Sequence, residues 1–267
     1  MLAAAAFTTA AALYAASSAL FLAYLAGAPV AAARWAAWVV GAAAIVHLAY
    51  EGLVYGEPGV GHAHGIHQTL STLSLAVVLG FLYLQRRGAL RVVGAFVTPI
   101  ALLLLFGARF VHTGAEVPAR VRGVLLAGHI TANLLGDAAL TVAFAASLAY
   151  LLQERALKTK QLDGAFRRLP PLDVLEAVGL RCIGLAVPLL TIGVVTGAIW
   201  AMRVEAGGWH LTAGQIVGIV TWALFGAVLL LRLLAGWRGR RAAVGTIVGY
   251  AGAVLVLLSY LVRPGGG

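Results

Sequence analysis

Two polar constellations interrupt an otherwise apolar chain, and both are built around histidine. His129, Asn133 and Asp137 are spaced i, i+4, i+8 within a run of Leu, Ala and Val, which lines all three along one face of a helix. His47 and Glu51 form a second i, i+4 pair. Ionisable groups inside hydrocarbon cost roughly 2.5–3.5 kcal/mol each on insertion scales, so they face a bundle interior, pair, and mark sites. An imidazole in an apolar surround suits a porphyrin iron, whose axial ligands are commonly histidine. That chemistry makes His129 and His47 candidate ligands of a b-type haem, with Asn133 and Asp137 orienting His129 from below. The competing reading is interhelical hydrogen bonding with no ligand, which contributes about 0.6 kcal/mol per contact.

Three further imidazoles lie within six residues in His62-Ala63-His64-Gly65-Ile66-His67. Such a spacing holds Cu or Zn if the segment folds over. Glu57 is the one carboxylate in that loop and the chain's single cysteine, Cys182, lies far from it, so no thiolate completes a first shell. Trp209 and His210 place an aromatic ring beside an imidazole in a later loop. Together with Trp35, Trp38, Trp200, Trp222 and Trp237, Trp209 either anchors at a membrane interface or stacks on a macrocycle.

The elements that must position these groups follow from composition. Of 267 residues, 62% are hydrophobic and 10% charged, and the mean hydropathy is +0.96, which excludes a soluble globular domain and a disordered chain alike. Runs of about 20 apolar residues cross a bilayer as helices, whereas barrel strands alternate over about 10. Eight runs qualify, at about 3–26, 30–54, 67–85, 91–112, 123–152, 177–202, 214–236 and 242–262. The first lacks a basic leader and exceeds a signal-peptide core, which predicts a retained span. The reading is an all-α integral membrane protein, a single polytopic domain over 1–267, with Gln153–Glu176 as a linker between two groups of helices.

The net charge of +10 reports topology rather than nucleic-acid binding. Twelve of the 19 Lys and Arg fall in loops on one side and five on the other, which predicts both termini outside and the basic loops in the cytoplasm, touching anionic lipid headgroups. Arg181 and Arg232, near cytoplasmic span ends, are expected to snorkel. In that orientation all seven histidines, His112 included, land on the outer half. No P-loop, G-x-G-x-x-G motif or Ser/His/Asp order stands in a loop that could use it, so enzymatic activity finds little support.

Four stretches carry a family likeness: Ala149–Lys158 (AYLLQERALK), Phe166–Asp173 (FRRLPPLD), Pro188–Ala201 (PLLTIGVVTGAIWA) and Leu229–Ala243 (LLLRLLAGWRGRRAA). They resemble the CcsA/HemX-type cytochrome c assembly membrane proteins, most strongly over 146–245 and more weakly over most of the chain. The resemblance implies a helical bundle in the bacterial cytoplasmic (inner) membrane that handles haem at its outer face. It sets His129 at the family's outer histidine and His47 at a weaker match. Haem-binding members carry W-G-x-x-W-x-W-D-P-K-E after the TGAIWA stretch. Here an ungapped match keeps only Trp209 of the tryptophans, and Glu205, Leu211, Thr212, Ala213, Gly214 and Gln215 stand where the Trp, Trp-Asp-Pro-Lys and Glu would be. Leu230 stands where the family has a histidine before the arginine of the seventh span.

Four functions compete. The first is a haem-handling assembly factor with His129 as ligand and His47, His67, His112 or His210 as its partner. The second is a b-haem electron-transfer subunit using His47 with His129. The third is a structural or regulatory subunit of an assembly or respiratory membrane complex that no longer loads haem. The fourth is a transporter relaying protons through Glu51 and Asp137, for which no inverted repeat is visible.

Overall fold

In the computed structural model, residues 1–56, 66–86, 90–110, 124–160, 167–204 and 212–261 are described. Among them every regular element is helical: α1 (Leu2–Leu25), α2 (Val30–Tyr55), α3 (Ile66–Gln85), α4 (Gly94–Phe110) after a 3₁₀ turn at Arg91–Val93, α5 (Val124–Lys158), α6 (Leu172–Val204), α7 (Ala213–Leu234) and α8 (Arg240–Leu261). Eight of these segments are long and apolar enough to cross a membrane, as the run lengths require.

Helix ends depart from the apolar runs where helix chemistry outlasts hydropathy. α5 continues to Lys158, because Lys158 reaches back to Glu154 at 2.7 Å and Arg155 and Lys158 suit the negative end of the helix dipole. α6 begins at Leu172, directly after Pro170-Pro171, with Asp173 in its first turn, a favourable start signal. The expected linker over 153–176 therefore shrinks to 159–171, because charge ends an apolar run without ending a helix.

The helices form two groups. α1 packs on α2 and α4 and α3 on α4, while α5 packs on α6 and α8 and α7 on both α6 and α8; α3 against α5 joins the groups. Alanine-rich faces let the backbones approach, and hydroxyls tie them. Ser17 donates to the Ala36 carbonyl at 3.0 Å, Ser18 to Thr98 Oγ1 at 3.0 Å and Ser74 to the Ala101 carbonyl at 2.7 Å. In the second group the Trp222 indole donates to Thr191 Oγ1 at 2.9 Å, and Thr141 meets the Tyr250 hydroxyl at 3.1 Å. α5 is the central span, 72% of its apolar window being buried, against 17% for α7.

Two arginines serve the assembly. Arg168 crosses from the α5–α6 connection to the carbonyls of Tyr24, Gly27 and Ala28 at the end of α1, and its guanidinium lies 4.5 Å from the centre of the Tyr24 ring. A cation is favoured there by the exposed carbonyls that end a helix. Arg232 is buried and donates to the Glu176 carbonyl at 3.1 Å. It therefore reaches across to α6 instead of snorkelling, because the Gly179 position leaves room beside Nη1.

Candidate functional site

The structure separates the two histidine constellations and gives them opposite characters. His47 is fully buried, and Glu51, Tyr14 and Ser71 around it are each at most 5% exposed. The Tyr14 hydroxyl is 3.0 Å from Nδ1, Ser71 Oγ is 3.0 Å from Nε2, and Ser71 donates to Glu51 Oε1 at 2.6 Å. Nε2 is also 3.4 Å from Glu51 Oε1. With a neutral ring, one proton order satisfies every distance: Tyr14 O–H donates to Nδ1, Nε2–H donates to Ser71, and Ser71 O–H donates to Glu51. Both nitrogens of His47 are thus engaged, and α1, α2 and α3 each contribute a link. Tyr50 and Phe7 flank the network as an edge-to-face pair.

His129 is only half-buried and leans on α6. Its Nδ1 lies 2.8 Å from the Gly193 carbonyl and 3.3 Å from Thr196 Oγ1. A carbonyl can only accept, so Nδ1 carries the proton and Nε2 is the acceptor nitrogen, the tautomer typical of histidines that bind metals. Asn133 donates to the His129 carbonyl at 2.8 Å and its amide nitrogen lies 3.3 Å from Nε2. The contact depends on Gly193-x-x-x-Gly197. A Cβ on Gly193 would collide with the Asn133 amide, and one on Gly197 would fall 2.9 Å from His129 Cε1. Further along, Gly136 meets Leu190 in the same way, so α5 and α6 seat side chains directly on backbone.

The stripe continues past Asp137 to Thr141, which donates to the Asp137 carbonyl at 2.8 Å and meets Tyr250 of α8. Asp137 sits about 12 Å from His129 along the axis at 1.5 Å per residue, with Asn133 between them.

Among the remaining candidates, His67 opens α3 one turn before Ser71, and its Nδ1 is buried without a hydrogen-bond partner. Glu51 Oε2 is likewise unpartnered. His62, His64, His112, Trp209 and His210 lie outside the described residues. Among the described residues no three His, Cys, Asp or Glu side chains are placed to hold a metal ion. Sequence reasoning missed Tyr14, Ser71, Thr196, Gly193 and Gly197. The G-x-x-x-G spacing in α6 was the signal for the last two.

Thr212 caps α7, its hydroxyl accepting from the Gln215 amide at 3.3 Å while the Gln215 side chain accepts from the Thr212 amide at 2.8 Å, a reciprocal capping box that fixes where the helix begins.

A family model described as Cytochrome C assembly protein matches residues 64–264. The chain is similar to the cytochrome c biogenesis protein CcsA of Guillardia theta, 25% identical over 225 residues that cover 77% of this chain and 74% of the relative. It is similar to CcsA of Gloeothece citriformis at 28% over 254 residues, covering 77% and 76%. A shorter stretch of 111 residues is 35% identical to CcsA of Crocosphaera subtropica, covering 42% and 32%.

Proposed function

Because the chain belongs to the cytochrome c assembly protein family, a multi-pass membrane family of cytochrome c biogenesis, we propose that it receives haem at the outer face of the bacterial inner membrane. His129 Nε2 is the proposed iron ligand. The observation that supports this reading is the hydrogen bond from His129 Nδ1 to the Gly193 carbonyl at 2.8 Å. It holds the tautomer and ring plane that ligation needs before any iron arrives. Asn133 steadies the ring from the helix turn below, and Asp137 continues the polar line toward α8. The proposed second ligand is His210, with Trp209 beside it offering a ring face to the macrocycle. His47, with both nitrogens already bonded, is assigned to helix assembly. The excess of Lys and Arg in alternate loops supports placing the His129 end outside. Its proposed partners are other subunits of the assembly complex.

The test is a visible spectrum of the full chain in mild detergent, oxidised and dithionite-reduced, for wild type, His129→Ala and His47→Ala after haem is supplied. A Soret band with reduced α and β bands that His129→Ala abolishes and His47→Ala keeps is expected. A featureless wild-type spectrum, or one unchanged by His129→Ala, overturns the proposal in favour of a structural or regulatory subunit.

A further inference from the structure

α7 and α8 are in close contact at the ends remote from their connecting turn. A Cβ on Gly249 would meet the Phe225 ring at 2.8 Å and one on Gly252 the Thr221 hydroxyl at 2.6 Å. Toward the turn the two helices border a groove of about 480 Å³ whose walls include Leu231, Val244 and Val248. Its size falls within the range of roughly 300–1,000 Å³ seen for small-molecule clefts. Val244 and Val248 are 40% and 56% exposed, so the groove opens sideways, where a membrane protein meets acyl chains.

Trp237, Arg240 and Arg241 also line the groove, at its turn end. The turn and the start of α8, residues 235–241, contain three arginines and no carboxylate. Arg241 is exposed and makes no ion pair among the described residues. Arg240 stands 3.5 Å from Glu154 Oε2 while its side chain stays 66% exposed. Glu154 also holds Lys158 at 2.7 Å, so its carboxylate keeps a cation if Arg240 turns away. Guanidinium forks match phosphate oxygens bidentately, and an indole favours the headgroup level. An apolar trough with cations and a tryptophan at one end has the polarity of a single phospholipid.

We propose that this groove binds one anionic phospholipid, its acyl chain lying between α7 and α8 and its phosphate held by Arg240 and Arg241 beside Trp237. The site is independent of His129 and of haem. The experiment is native mass spectrometry of the full chain in mild detergent, titrated with palmitoyl-oleoyl phosphatidylglycerol or the matching phosphatidylcholine. One phosphatidylglycerol per chain should be retained in preference to phosphatidylcholine. The double variant Arg240→Gln with Arg241→Gln should weaken it roughly thirtyfold, taking each basic residue near a membrane surface at its usual contribution. Arg238→Gln, which removes one charge outside the groove lining, should weaken binding no more than about fivefold, the general contribution of one basic residue near a membrane surface. Val248→Trp, which fills the trough and keeps every charge, should also abolish retention. Equal retention of phosphatidylcholine, or an Arg238→Gln effect as large as that of the double variant, would overturn the site. So would one-for-one displacement of the lipid by haem, which would assign the groove to the cargo.

Discussion

His47 lies about two turns from the C-terminal end of α2 and His129 about a turn and a half from the N-terminal end of α5, yet one is sealed and the other half-open. Around His47 each donor and acceptor of the ring is spent on Tyr14, Ser71 and Glu51. Around His129 only Nδ1 is bound firmly, to a backbone carbonyl that glycine exposes. The difference teaches that an intramembrane histidine is read by what its second nitrogen does. The ring of His47 is tied at both nitrogens to other helices, whereas His129 is tied to another helix through Nδ1 alone and has Asn133 of its own helix 3.3 Å from Nε2.

The contrast can be broken most violently at the sealed site. His47→Leu leaves the Tyr14 hydroxyl without its acceptor and Ser71 without its donor, both buried, and should cost about 2–4 kcal/mol of stability, read as a large fall in the thermal midpoint in detergent with the haem spectrum of the surviving fold unchanged. Adding Tyr14→Phe, which removes the orphaned hydroxyl, should recover part of that loss. A spectrum that disappears with His47→Leu at a temperature where the protein is still folded would erase the distinction between the sites.

At the open site the groove matters more than the ring for stability. Gly193→Val drives side-chain atoms into Asn133 and should cost about 1–3 kcal/mol through overpacking. It should also weaken haem retention, because the carbonyl that anchors His129 moves with α6. Asn133→Ala in the same chain should restore part of the stability, a coupling measured by a double-mutant cycle; strict additivity would show that the two residues do not meet. Tyr14→Phe, which removes a single donor from Nδ1, is expected to cost about 1 kcal/mol and to leave the spectrum intact.

His129→Ala closes the series, with the smallest stability effect and the largest functional one. One interhelical hydrogen bond of about 0.6 kcal/mol is lost, while the Soret band should vanish. A thermal midpoint that falls as far as that of His47→Leu would show the two sites to be alike after all.

Much of this arrangement was legible before any coordinates. Apolar run length yields the eight helices, because a bilayer demands a fixed number of residues per crossing. The i, i+4, i+8 spacing places His129, Asn133 and Asp137 on one face, because helix geometry is local. Less legible were the helix ends at Lys158 and Leu172, where capping and dipole effects extend helices beyond the apolar core. The partners of each histidine were not legible. Tyr14 is 33 residues from His47 and Gly193 is 64 from His129, and no periodicity links residues on different helices.

The sequence by itself therefore determined the class of protein, the number of spans and the polar faces they carry, since hydropathy and helical pitch act within one segment. Only the tertiary structure decided which face meets which. It set Tyr14 and Ser71 against His47, and the backbone of Gly193 against His129. The physical reason is that the pairing of helices depends on close approach at small residues and on satisfying each buried donor, conditions imposed jointly by segments distant in the chain.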